Sequence, residues 1–418
     1  MQTNLAPEFK GTRQGEAAEA ILRKCVHCGF CTATCPTYQL LGDELDGPRG
    51  RIYLMKQVLE GAPVTRKTQE HLDRCLTCRN CETTCPSGVQ YGHLVDIGRE
   101  IVEARVERPT GEKAVRWLLK EGLTSPLFAP AMKLGQLVRP LLPQTLQDKV
   151  PGKAPARAQQ WPMRTHPRKV LMLMGCVQPA MMPNINSATA RVLDAIGIQT
   201  LVADGAGCCG ALRTHLNDSE GGLADARRNI DAWWPLVDGL TSEGKVEAIV
   251  MNASGCGVHV KDYGHALAHD PAYAEKAQRV SALTRDLSEL LPEIAPQLQG
   301  RLRASKQPAL AYHPPCTLQH GQQLRGGVET HLRTLGFEVR LANAESHLCC
   351  GSAGTYSVLQ PVLSKQLRDR KLEHLSPAPG QEPVGAIVSA NVGCIQHLQS
   401  GTPVPVKHWV EVVDDALN

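Results

Sequence analysis

Cysteine spacing constrains this chain more than any other feature. Cys25, Cys28, Cys31 and Cys35 form a C-x2-C-x2-C-x3-C run, and the same frame returns fifty positions later as Cys75, Cys78, Cys81 and Cys85. Each run is closed by a proline, Pro36 or Pro86. The other eight of the 16 cysteines lie from residue 176 onward and are duplicated in their turn. Cys176, the pair Cys208-Cys209 and Cys256 recur as Cys316, the pair Cys349-Cys350 and Cys394, offset by 138 to 141 positions. Repetition of this kind predicts two modules, each with internal two-fold architecture.

The first frame is the spacing of bacterial two-cluster ferredoxins, in which three close thiolates wrap one cubane and the fourth cysteine reaches the other. It predicts one [4Fe-4S] cluster on Cys25, Cys28, Cys31 and Cys85, and a second on Cys75, Cys78, Cys81 and Cys35. The proline after each fourth cysteine turns the chain away from the cluster. Structural zinc is the competing reading, but zinc sites present two separated CxxC pairs rather than four cysteines in one run. Disulfides are disfavoured because the polar stretch Met1 to Lys24 is no secretory leader and the expected compartment is reducing. Arg49, Arg51, Arg74 and Arg79 lie close to these runs and are read as solvated surface charges, with neutralisation of the clusters as the alternative.

Helical spacing of Ile52, Met55, Val58 and Leu59 and a second helical pattern from Leu94 to Val106 make the first module mainly α-helical. From Glu112 to Leu142 the chain is basic and apolar, with Trp117 and several leucines at helical spacing, which suits an interfacial helix or a buried core helix. Pro151 to Pro167 reads as a linker. Beyond it, short aliphatic runs (Val170 to Met174, Gln199 to Ala203, Ala248 to Met251, Ala309 to Tyr312, Glu338 to Leu341 and Ala386 to Ser389) alternate with helical stretches, which predicts α/β layers. The expected division is 1–108 for a helical ferredoxin-like domain, 109–167 for the basic apolar segment and linker, and 168–302 and 303–418 for two α/β cysteine-rich domains.

No stretch approaches the roughly 20 apolar residues of a membrane span. An aromatic share of 4% and a net charge of only +4 argue against a nucleic-acid partner. No P-loop or Gly-x-Ser-x-Gly elbow occurs. Gly205-Ala206-Gly207-Cys208-Cys209-Gly210 matches G-x-G-x-x-G, but its repeat from Leu348 to Gly354 keeps the cysteines and loses the glycine spacing, so the frame belongs to the cysteines.

Adjacent cysteines offer two thiolates to one metal centre, and the following Gly210 or Gly351 eases close backbone approach. This half resembles the tandem cysteine-rich CCG domain of heterodisulfide reductase and of the iron-sulfur subunits of anaerobic glycerol-3-phosphate, lactate and glycolate dehydrogenases. That family pattern often ends in CxxC, whereas both copies here end in CxxH, at His259 and His397. The two histidines are therefore candidate ligands beside Cys176, Cys208, Cys209, Cys256, Cys316, Cys349, Cys350 and Cys394, in a half with room for one or two further iron-sulfur clusters. His313 and His347 are candidates to hydrogen-bond such a centre, with ordinary hydrogen bonding in the fold preferred.

The stretches Cys25 to Tyr38, Gly47 to Tyr53 and Cys75 to Pro86 make the whole chain similar to the iron-sulfur subunits of bacterial glycolate oxidase, also called glycolate dehydrogenase. The resemblance implies FAD-containing partner subunits that oxidise glycolate to glyoxylate, no catalytic residue in this chain, and electron relay to a quinone or other membrane acceptor. It also implies a cytoplasmic location, peripheral on the inner membrane. Related alternatives are an iron-sulfur subunit for lactate or glycerol 3-phosphate, or a heterodisulfide reductase type of chain doing thiol-disulfide chemistry.

Overall fold

The computed structural model describes residues 1–147, 150–303 and 308–417. Four helices, Arg13–Lys24, Pro48–Leu59, Arg66–Asp73 and Tyr91–Arg105, frame the first module. Helix Pro48–Leu59 starts four residues before Ile52, because proline at the first turn lacks only an N–H that would be unpaired anyway. Its Ile52, Met55, Val58 and Leu59 are buried with Leu22, Leu94 and Val95. Where it crosses Tyr91–Arg105, a Cβ on Gly98 would lie 2.4 Å from Met55 Sδ, so any larger residue would force the buried Met55 side chain to move.

Two four-stranded parallel sheets follow. In the first, β1 (Arg168–Met172), β2 (Ile198–Leu201), β3 (Ala248–Met251) and β4 (Thr284–Asp286) are ordered β2-β1-β3-β4. In the second, β5 (Leu310–Tyr312), β6 (Val339–Leu341), β7 (Ala386–Ser389) and β8 (Val406–His408) take the same order, β6-β5-β7-β8. The pairing is parallel throughout, with Val170 opposite Ala248 in one sheet and Leu310 opposite Ala386 in the other. Six strands match the expected aliphatic runs. β4 and β8 lie outside that expectation, because each is only three residues long and carries polar side chains (Thr-Arg-Asp and Val-Lys-His).

One apolar core joins the two sheets, with Val170, Ile198 and Val250 from the first and Leu310, Ile387 and Val406 from the second. Helix Trp409–Ala416 crosses over to helix Asn184–Ala195 of the first repeat. There Arg191 donates to both oxygens of Asp414, and Asn184 Nδ2 donates to Glu411 Oε1 at 2.7 Å. The segment expected to be basic and apolar forms helices Thr110–Thr124 and Phe128–Val138, neither of which buries a residue. That removes the buried core helix as an account of its leucines. Among the described residues no helix is long and apolar enough to cross a membrane.

Candidate metal centres

All sixteen cysteines are free, so none of the sulfur is committed to disulfides. The eight N-terminal ones divide between two neighbouring cavities. The first is lined by Cys25, Cys28, Cys31 and Cys85, with Arg49 and Ile52. The second is lined by Cys35, Cys75 and Cys78, with Arg51 and Arg79, and Cys81 and Tyr91 border both. Each cavity thus has the fourth cysteine of the other run in its wall, which is how two overlapping loops can enclose two clusters. Five cysteines around the first space and four around the second, with cationic side chains beside them, suit an iron-sulfur group.

The loops reach this shape through left-handed backbone at matching positions: His27 and Gly29 in the first run, Thr77 and Arg79 in the second. Three of the four are not glycine, and each accepts a conformation that costs about 1–2 kcal/mol. Strain held at the same two places in both runs marks these turns as built for what they surround.

Arg51 corrects its reading as a surface charge. It is 1% exposed, its Nε donates to His71 O at 2.7 Å, and its guanidinium reaches Thr37 Oγ1 and Asp46 Oδ1. Burial would strip its proton, but Cys75, Tyr91, Cys35 and Asp46 more than offset this and hold the charge on. Asp46, itself buried, also accepts from Arg74 Nη1 at 2.9 Å. Arg49 pairs with Glu44 and Arg79 with Glu82. Tyr91, whose hydroxyl reaches Cys75 Sγ at 3.6 Å, carried no sequence signal because it lies outside both runs.

In the cysteine-rich half each repeat draws its four cysteines into a line. Cys176 meets Cys208, Cys208 meets Cys209, and Cys209 meets Cys256. Likewise Cys316 Sγ lies 3.7 Å from Cys349 Sγ, Cys349 meets Cys350, and Cys350 meets Cys394. The glycine after each pair is required. Gly210 and Gly351 have φ of 95° and 87°, and a Cβ there would lie 2.6 Å from Gly222 O or 2.4 Å from Ser364 O. Their N–H groups donate to Cys208 Sγ at 3.5 Å and Cys349 Sγ at 3.4 Å.

The histidines separate. His397 holds Ser364 through its Nε2, 3.0 Å from Oγ. His259 lies against Gly210, with its Nε2 3.2 Å from where a Cβ would stand, and feels the charge of Cys208. His347 contributes its backbone oxygen, which accepts from His320 Nε2 at 2.8 Å. His313 is fully buried and neither ring nitrogen has a hydrogen-bond partner, contrary to the ordinary role expected of it. Orphaned buried groups of this kind cost about 1–3 kcal/mol each. His313, Cys350 and Cys394 offer ligand atoms that all lie within 4.8 Å of one another.

The second repeat also touches the N-terminal module. Cys78 packs in one apolar cluster with Leu76, Cys316, Cys349 and Tyr356, and the Tyr356 hydroxyl donates to Arg74 O at 3.1 Å. His320, missed in the sequence, joins Thr83 Oγ1 at 2.9 Å. The first repeat meets the same module through ions instead, with His93 Nε2 3.1 Å from Asp262 Oδ2.

Family models match three stretches of the chain. Residues 21–89 match the 4Fe-4S dicluster domain, and residues 170–261 and 310–399 each match the cysteine-rich domain. The glycolate oxidase iron-sulfur subunit of Escherichia coli (strain K12) is 54% identical over 418 residues, covering 100% of this chain and 99% of that one. The "Probable glycolate oxidase iron-sulfur subunit" of Bacillus subtilis (strain 168) is 30% identical over 92% of this chain and 89% of its own. Lactate utilization protein A of Geobacillus thermodenitrificans (strain NG80-2) is 27% identical over 59% of this chain and 98% of its own. Cysteine frames, paired cavities and full-length likeness converge on one conclusion: the chain belongs to the family of glycolate oxidase iron-sulfur subunits.

Proposed function

We propose that this chain is the electron-transfer subunit of a glycolate dehydrogenase complex, working with FAD-containing partners that oxidise glycolate to glyoxylate. The observation that carries the reading is the sharing of eight cysteines between two adjoining cavities. Cys25, Cys28, Cys31 and Cys85 would hold one [4Fe-4S] cluster, and Cys75, Cys78, Cys81 and Cys35 the other. Bound there, such clusters supply one-electron acceptors, so the two electrons of a reduced flavin can leave singly toward a quinone or other membrane acceptor.

The chain's own residues hold and insulate. Arg51 and Arg79 set positive charge against the second thiolate set, and Arg49 against the first. The eight cysteines of the second half would carry further iron, with Cys316 and Cys349 next to Cys78. The functional division is 1–108, 109–167, 168–302 and 303–418. Peripheral attachment to the inner membrane from the cytoplasmic side is supported by helices Thr110–Thr124 and Phe128–Val138, where Trp117, Leu118, Leu134 and Leu137 are all more than 60% exposed.

Cys28→Ser and Cys78→Ser in the assembled complex should each abolish glycolate-dependent quinone or dye reduction. Full turnover in both variants would end the proposal. Removing 110–142 should release the complex from membranes, and unchanged sedimentation with them would defeat that part.

A further inference from the structure

We propose that His313 is an imidazole ligand to an iron centre in the second cysteine-rich repeat, beside Cys316, Cys349, Cys350 and Cys394. The inference rests on the reading that this half binds iron, and it names a ligand that the cysteine frame does not include.

Position supports it first. His313 directly follows β5 and Cys394 lies in helix Val392–Gln399 just after β7, and these strands are neighbours in the sheet. Both side chains therefore issue from adjoining carboxyl ends of parallel strands, where such sheets gather ligands. The backbone of His313 is fully engaged, its N–H donating to Val388 O at 2.8 Å and its carbonyl accepting from Ser389 Oγ at 2.9 Å. Only the ring is left without a partner, buried, with Cys350 and Cys394 within ligand reach.

Spacing and charge support it next. Thiolates on one tetrahedral ion with bonds near 2.3 Å stand about 3.8 Å apart, and Cys316 Sγ and Cys349 Sγ are 3.7 Å apart. Lys371, 2% exposed, lies within the field of Cys350, Cys349 and Cys316 and spends its hydrogen bond on Glu345 O. Burial pulls that ammonium below its usual value, and negative charge on these sulfurs opposes the pull. The first repeat lacks this set: three residues before Cys176, where the second repeat has His313, stands the core residue Leu173. A neutral imidazole in place of a thiolate makes a centre less negative and raises its reduction potential, which suits a site packed against Cys78.

The test uses the full chain in its complex, prepared anaerobically with 15N-histidine. Iron and zinc are quantified, and nitrogen couplings are read by pulsed EPR after stepwise reduction. The wild type should show a directly bound histidine nitrogen. His313→Cys should keep the iron, lose that coupling and lower the potential of one centre. His313→Leu should lose the iron of one centre while the signals of the N-terminal clusters persist. A histidine coupling that survives in His313→Cys, or no histidine coupling in a wild type whose iron falls in Cys394→Ser, overturns the ligand assignment. Unchanged iron in Cys394→Ser, or stoichiometric zinc in its place, overturns the reading that this repeat holds iron.

Discussion

The two cysteine-rich repeats share strand order, cysteine line and glycine turn, yet they meet the N-terminal module by different physics. The first repeat docks through polar contacts: His93 pairs with Asp262, and Asn217 Nδ2 donates to Glu103. The second docks through an apolar cluster that contains cysteines from both sides, Cys78 and Cys316. All four of its own cysteines are buried, whereas Cys176 and Cys256 of the first repeat are only half-buried. Duplication supplied one frame, and burial then separated a repeat that packs Cys316 and Cys349 against Cys78 from a repeat whose cysteines lie apart from that cluster.

The largest effect should come from breaking the cysteine lines one at a time. Cys394→Ser is expected to lower turnover of the complex at least about 100-fold, at or beyond the upper end of what outer-shell changes around a metal produce. Cys256→Ser should cost far less, and equal losses would erase the functional difference between the repeats. Next, Arg51→Leu would leave Asp46 short of its buried cation beside the cavity that faces the second repeat. Breaking a buried pair costs about 3–5 kcal/mol, so denaturant midpoints should fall sharply, and a near-silent variant would contradict the buried network.

Gly351→Ala and Gly210→Ala sharpen the comparison from the shared side. Both glycines have left-handed backbone and face a helix carbonyl, so each alanine should cost about 1–2 kcal/mol from conformation alone, plus the clash. Similar shifts in thermal stability are expected, and a tolerated alanine at either site would show that the turn is not common to both repeats.

The smallest effect is a pH response confined to the first repeat. The hydrogen bond to Asp262 raises His93 above its usual value against the pull of burial, and His93 holds Asp262 low although burial opposes it. A raised histidine stabilises below its unfolded value and loses that contribution as pH climbs through the folded one. A depressed aspartate stabilises above its unfolded value and loses it as pH falls through the folded one. The ionic junction is therefore firmest between the ordinary aspartate and histidine ranges, roughly pH 4–6.5. Hydrogen exchange, corrected for its intrinsic pH dependence, should show helix Tyr91–Arg105 loosening above that window, and His93→Gln should flatten the response. Equal loosening around Tyr356 would remove the distinction between the junctions.

Much of this was legible because metal ligation writes itself in spacing. The α/β alternation and six of the eight strands follow from local patterns. What escaped was long-range. Arg51 reads as a surface charge until His71 and Asp46 close over it, Tyr91 has no motif, and Lys371 lies well beyond the pair it faces. β4 and β8 were invisible because their Thr-Arg-Asp and Val-Lys-His sequences contain no aliphatic run to register. The surroundings of His397 and His313 escaped for the same reason, since only the folded chain places Ser364 at one ring and two thiols near the other.

Helix Trp409–Ala416 closes over the first repeat through Arg191 and Asp414, 223 residues apart. On a ribosome adding about 5–20 residues per second, the first repeat must wait on the order of ten seconds or longer for its own lid. Until then the face that this helix covers stands open, so the shell of the first repeat is completed on the clock of translation.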